Sequence, residues 1–251
     1  TSDFICGGYD GEGSLGDGSD PYFEFVITEP TSVSWVWNLR PEVPEQYWNM
    51  PSEIVSSGAS KMSSGILSDG TIVFAYYDTN TDAIHLMTGD GTTWSGQQIA
   101  TQVGSVESIS LSVLDDDEVF IAYYNGDDNN LYTVSVADAA VGSSGWAVQL
   151  FDDIGDVGRS VDVAEGVDGE IYIVYLDNGN GAVKFATIDE GTFTIETIPC
   201  DGIASLYCSV GVKANDGHPV VAFYDTVERG VYFAEKVGVD WAVEEVDTTG
   251  D

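Results

Sequence analysis

The chain has 251 residues, 43 acidic against 7 basic, and a formal net charge of −36. Binding phosphate needs lysine and arginine, so this balance excludes nucleic acid as a partner and argues against an anionic membrane surface. A hydrophobic content of 43% and an aromatic content of 12% supply a packed core, so the charge reads as a solvated acidic shell or as a surface that collects Ca²⁺ or a cationic partner.

In chain order, residues 1–20 are rich in Gly, Asp and Ser and read as loop. Residues 22–28 (YFEFVIT) and 32–39 (SVSWVWNL), joined by a turn at Glu29-Pro30-Thr31, read as a hairpin, and a third extended segment follows over about 46–55. Trp48 precedes Trp94 by nearly one period of the repeat that follows. Residues 1–50 are therefore either a divergent fifth blade or a β cap, or a piece of a preceding module.

From residue 51 onward a unit of about 50 residues recurs, over about 52–99, 100–151, 152–198 and 199–251. Each unit holds an apolar core strand, best seen as VFIAYY at 119–124, closed by Asp78, Asn125, Asp177 or Asp225. A turn residue stands at one fixed offset ahead of it, as Gly70, Asp117, Gly169 or Gly217, and a second apolar strand follows. An aromatic comes next, Trp94, Trp146, Phe193 or Trp241, with an insertion near 139–143 in the second unit. The core strand is apolar on both faces, so it must be covered on both sides. Four short antiparallel strands per unit, stacked sheet on sheet, predict an all-β propeller of four regular four-stranded blades plus the N-terminal β segment.

The units resemble a secreted bacterial and archaeal propeller repeat, S-L-A-L-D-x-x-G-x-P-H-I-x-Y-Y-D, then L-K-Y-A, then W and V-D-x-x-G-D-V-G. The matching stretches are Asp152-Asp153-Ile154-Gly155-Asp156-Val157-Gly158, Val183-Lys184-Phe185-Ala186, and Gly217 to Asp225, with Val246 to Asp251 as the connector. The strand-opening His is missing from every unit, and His218 precedes Pro219 where the pattern has the reverse order. The resemblance, over roughly 55–251, implies the fold and a surface or extracellular setting, and it brings no catalytic residues with it. Thr1 is not an initiator Met and reads as a processed or cloned start from which a leader is removed, and the last residues match a connector into a further repeat, so a continuation past Asp251 is the expectation.

Candidate site residues are of three kinds. Asp127, Asp128, Asp152, Asp153, Asp156, Asp177 and Asn178 fall in loops that open on one propeller face, and are the candidate calcium ligands. The recurring Asp residues are first of all turn devices, closing the core strand on backbone N–H groups. Trp35, Trp37 and Trp48 lie outside the repeat and are the candidate ligand-contact aromatics, whereas Trp94, Trp146 and Trp241 share a blade-packing column. Aligned with Lys61, Ser108 and Ser160, Cys208 falls outside the apolar columns, which favours a Cys200–Cys208 disulfide in an oxidising compartment and leaves Cys6 over.

His85 on a strand and His218 in a turn build no triad, and the singular acids Asp162 and Glu165 are the weak alternative for catalysis. No apolar run approaches the roughly 20 residues that span a bilayer. The expectation is a non-catalytic extracellular module that binds a glycan or a protein, or a structural piece of a cell-surface assembly. The alternative is a glycoside-processing enzyme of sialidase or glycosidase type. Calcium is the one cofactor the acidic loops bring into question.

Overall fold

The computed structural model describes residues 4–12, 32–39, 58–136, 145–200 and 204–247. The chain divides into two units, Thr1–Ile54 and Val55–Asp251. In the first, β1 (Phe4–Glu12) pairs antiparallel with β2 (Ser32–Leu39), from Phe4↔Leu39 to Glu12↔Ser32, with a bulge between Cys6 and Gly8. Ser32–Leu39 thus pairs with a strand inside the glycine-rich segment expected to be loop. Glycine is depleted in strands, so composition concealed β1. Residues 22–28, Trp48 and the segment 46–55 lie outside the described residues, and with them the expected fifth blade.

The second unit is four antiparallel sheets. They comprise β3 (Ala59–Ile66), β4 (Ile72–Asp78), β5 (Ala83–Gly89) and β6 (Trp94–Thr101); then β7 (Val106–Val113), β8 (Val119–Asn125), β9 (Asn130–Val136) and β10 (Ala147–Asp152). The third holds β11 (Val157–Glu165), β12 (Ile171–Asp177), β13 (Ala182–Asp189) and β14 (Thr192–Ile198), and the fourth β15 (Ala204–Val212), β16 (Pro219–Asp225), β17 (Gly230–Val237) and β18 (Asp240–Asp247). Within each sheet the strands lie in sequence order. The first turn of every sheet carries a left-handed residue at the predicted column, with φ of 88° at Gly70, 65° at Asp117, 87° at Gly169 and 73° at Gly217. The closing Asp or Asn begins the second turn. Its side chain accepts the N–H two residues on (three on from Asp177), in Asn80→Asp78, Asp127→Asn125, Asn180→Asp177 and Val227→Asp225, at 2.8–3.0 Å.

Successive sheets stack through their first strands, β3 on β7, β7 on β11 and β11 on β15. Three apolar seams result. The first joins Val73, Ala75 and Tyr77 to Val119, Ile121 and Tyr123. The second joins Phe120 and Ala122 to Ile173 and Tyr175, and the third joins Tyr172, Val174 and Leu176 to Val221 and Phe223. Each inner strand would otherwise turn a row of unpaired N–H groups to the axis. The preceding sheet satisfies them with side chains. Leu111 N–H donates to Ser63 Oγ (2.9 Å), Val161 to Ser108 (3.0 Å), Val163 to Ser110 (3.2 Å), Cys208 to Ser160 (3.0 Å) and Val210 to Asp162 Oδ2 (3.0 Å). The strands come close enough there that a Cβ on Gly65 would fall 2.7 Å from Val113.

Double-sided burial holds for the two middle core strands. Every residue of β8 is buried, and all of β12 after Ile171. In the fourth sheet one face stays open. β16 alternates, with Val221 and Phe223 buried but Ala222 exposed and Val220 and Tyr224 half-buried. Among the described residues no stacking of similar extent returns from β15 to β3.

Ile121 is fully buried in the first seam. Ile121→Ala is expected to lower the unfolding free energy by about 2–5 kcal/mol, read from urea denaturation.

Candidate functional site

The repeat is broken most sharply at the starts of the inner strands. Three residues before the stapling column Ser63, Ser110, Asp162 and Ser209 stand Ser60, Glu107, Arg159 and Leu206, a hydroxyl, an acid, a base and an apolar residue. A cleft of about 380 Å³ opens there, lined by Glu107, Ser108, Tyr124, Arg159, Asn178 and Tyr207, among others. Bulges position the two charged groups, because the ladder slips between Val106 and Ser108 and again on either side of Arg159.

Arg159 Nη1 lies 2.9 Å from Glu107 Oε2, and Nε lies 3.4 Å from Asp156 Oδ1. Its guanidinium carbon sits 5.0 Å from the centroid of the Tyr124 ring. The buried Tyr124 hydroxyl donates to Asp156 Oδ1 (2.7 Å). Burial, then that bond, raises the phenol above its usual range, so Tyr124 stays a neutral floor under the cation. Tyr207, 72% exposed, stands at the wall. A guanidinium offers five N–H donors in a plane, and the two protein contacts leave others for a ligand. Held arginine, acceptor carboxylate and open aromatic together suit a small polyhydroxylated molecule.

The acidic loops resolve into separate local arrangements. Asp127 accepts Ser105 N–H (3.2 Å), and Asp128 accepts the Tyr132 hydroxyl (2.6 Å). Asp156 serves Arg159 and Tyr124, Asn178 borders the cleft, and Asp153 is exposed. Asp152 and Asp177 are buried and share Lys184, whose ammonium lies 3.2 and 3.5 Å from them. The Tyr175 hydroxyl also donates to Asp152 (2.7 Å). A protein cation thus stands between those two carboxylates. No three of these acids converge within 4.8 Å; among the described residues the cluster that does is Asp216, His218 and Glu235. The Lys213 ammonium already bridges its two carboxylates at 3.1 and 2.7 Å.

The expected disulfide is absent, and Cys200 and Cys208 are both thiols. The first turn of this sheet leaves six residues between Val212 and Pro219 where the other sheets leave five, which moves Cys208 one column, to pair with Phe223 as Met62 pairs with Tyr76 and Ile109 with Tyr123. That column faces a seam, where the Cys208 thiol donates to Ser160 O at 2.8 Å. Burial pushes its pKa up to about 12. Trp35 and Trp37 lie on β2, opposite Tyr9 and Cys6 in the ladder. Trp146 and Trp241 pack into seams, and Trp94 lies edge-on to Phe74. His85 stacks on Tyr76.

Asp162 is saturated. Its Oδ1 accepts Ser110 Oγ–H and its own neighbour's N–H, and its Oδ2 accepts Ser209 Oγ–H and Val210 N–H. Glu165 borders a second cleft, of about 390 Å³, with Asp115, Asp116, Glu118 and Glu190. Burial raises the carboxyls of Glu165 and Glu118 above the usual range.

No protein-family model matches the chain, and no curated protein does. Solved structures match at low identity. An arginine-to-alanine triple mutant of AofleA from Arthrobotrys oligospora is 12% identical over 75% of this chain, with a TM-score of 0.58. The chain spans 57% of that protein's length. A six-bladed β-propeller fungal lectin from Aleuria aurantia, described with a mode of fucose recognition, is 14% identical over 88% of this chain and 71% of its own, with a TM-score of 0.54. The α-L-arabinanase of Penicillium chrysogenum bound to arabinobiose is 10% identical over 78% of this chain and 69% of its own, with a TM-score of 0.53. Such identities carry the fold alone, and the fold is a β-propeller.

Two outcomes follow from the buried groups. Lys184→Met leaves Asp152 and Asp177 facing each other without a cation, and is expected to cost about 3–5 kcal/mol in denaturant unfolding. Native Cys208 is expected to resist thiol reagents at pH 8 and to react once the chain is unfolded. The fold holds its proton up to about 12 against a usual 9.0, so the stability it contributes is full below pH 9 and is lost as pH rises through 12.

Proposed function

We propose that this chain is a non-catalytic, extracellular β-propeller module that binds a neutral glycan in the cleft between Glu107, Arg159 and Tyr207. The observation that carries the reading is the held guanidinium beside an acceptor carboxylate and a largely exposed tyrosine ring. Vicinal sugar hydroxyls match a planar donor set and a carboxylate, and the C–H face of a pyranose stacks on an aromatic ring. A volume of about 380 Å³ accommodates one or two sugar units. Two carboxylates already flank Arg159, which disfavours an acidic sugar. The propeller neighbours named for fucose and arabinobiose support carbohydrate as the class, and the repeat resemblance supports the extracellular setting.

A second reading, glycoside processing, draws on the acidic cleft, where Glu118 and Glu165 are both raised by burial. A carboxyl raised by burial within a cluster of acids is the arrangement an acid–base pair uses.

Glycan-array binding followed by calorimetry tests the first reading. Arg159→Ala and Tyr207→Ala are each expected to weaken binding at least about tenfold, which is about 1.4 kcal/mol, with the melting temperature as a folding control. An array without a bound sugar, or an unchanged affinity in Arg159→Ala, would refute it. Release of reducing sugar that stops in Glu165→Gln would establish the second.

A further inference from the structure

The end faces of the sheet stack are two halves of one seam. On the fourth sheet an apolar groove of about 370 Å³ is lined by Cys208, Ala222, Phe223, Tyr224 and Val231, and borders the sugar cleft at Leu206 and Tyr207. This face corresponds to those that Phe120 and Ala122 present to the third sheet, and Val174 and Leu176 to the fourth. On the first sheet the opposite face carries what fills such a groove elsewhere. Tyr76, itself 5% exposed, stacks on His85, as Tyr123 stacks on Tyr132 and Phe223 on Tyr232 in two of the three sheets that press this ladder against a predecessor. Beside it Met62 is 65% exposed, although the matching Val161 and Cys208 are 6% and 9%.

The polar part of the seam is also in place. Ser209 occupies the stapling column of Ser63, Ser110 and Asp162, paired with Ala222 as Ser63 is with Ala75 and Ser110 with Ala122. Its hydroxyl hydrogen goes to Asp162 at 2.6 Å, which leaves the oxygen to accept. Ser64 stands where Leu111, Val163 and Val210 donate in the other sheets.

We infer that a second copy of this chain covers these faces: the first sheet of one copy docks in the groove on the fourth sheet of another, with Ser64 N–H donating to Ser209 Oγ. The contact continues the interface that the chain already builds three times within itself. It is head-to-tail, so two copies close on each other if the rotation allows, and longer assemblies form if it does not. The seam is apolar and each copy carries a net charge of −36, so salt strengthens the association by screening the repulsion between copies. The inference does not rest on the sugar reading, although a docked copy would lie against Leu206 and Tyr207, which groove and cleft share.

Sedimentation over a range of concentrations, at about 0.05 M and about 1 M salt, tests it. The wild type is expected to exceed the 26.8 kDa of one chain, and more so at high salt. Val231→Glu in the groove and Met62→Glu on the opposite face should each run as single chains, and their equimolar mixture should recover dimers, because each variant keeps one intact half. That recovery also shows that both variants fold. A wild type of single-chain mass under every condition overturns the inference. So does self-association unchanged in both variants.

Discussion

The second unit depends on how its inner strands satisfy their free edge. Each of these strands is hydrogen-bonded on one side only, and the N–H groups on the other side face the axis. The preceding sheet meets them with short oxygen-bearing side chains, Ser63, Ser108, Ser110, Ser160 and Asp162, at 2.9–3.2 Å. These bonds set the stagger between neighbouring sheets, and the stagger decides which apolar columns meet in the three seams. Asp162 takes part in two seams, accepting from Ser110 on one side and from Ser209 and Val210 on the other. A carboxylate so fully occupied is structural, although in the sequence it is one of the acids that stand out from the repeat.

The repeat, the turn columns and the double-sided apolar strands were legible because each is a local rule stated four times. The left-handed column at Gly70, Asp117, Gly169 and Gly217 is the plainest case. Three features were hidden, each for a physical reason. A first turn one residue longer moved Cys208 by one column and turned an expected disulfide partner into a seam residue. Glycines disguised β1 as loop. The Glu107–Arg159 pair arises only when two sheets meet, and in so acidic a chain a single glutamate carries no signal. Arginine is scarce here, and Arg159 interrupts its own column; that contrast is the trace the sequence held.

Scarcity also shapes the electrostatics. With 7 basic residues against 43 acidic ones, each cation near a core or cleft is shared. Lys184 serves Asp152 and Asp177, Arg159 serves Glu107 and Asp156, and Lys213 serves Asp216 and Glu235. Lys236 pairs with Glu196 and lies over Phe185 and Trp241. The same positions read from sequence as clusters of oxygen ligands are, at Asp152 and Asp177, already neutralised from within.

The three seams have a consequence for cooperativity. Because, among the described residues, extensive stacking joins each sheet only to its neighbours in line, unfolding can proceed from the outside inwards, and a terminal sheet is held by one such junction where a middle sheet is held by two. Duplicating or deleting a whole unit would change the number of junctions by one and disturb nothing inside those that remain. Such an architecture lengthens and shortens easily over evolutionary time, with the gene copied in modules of one sheet each.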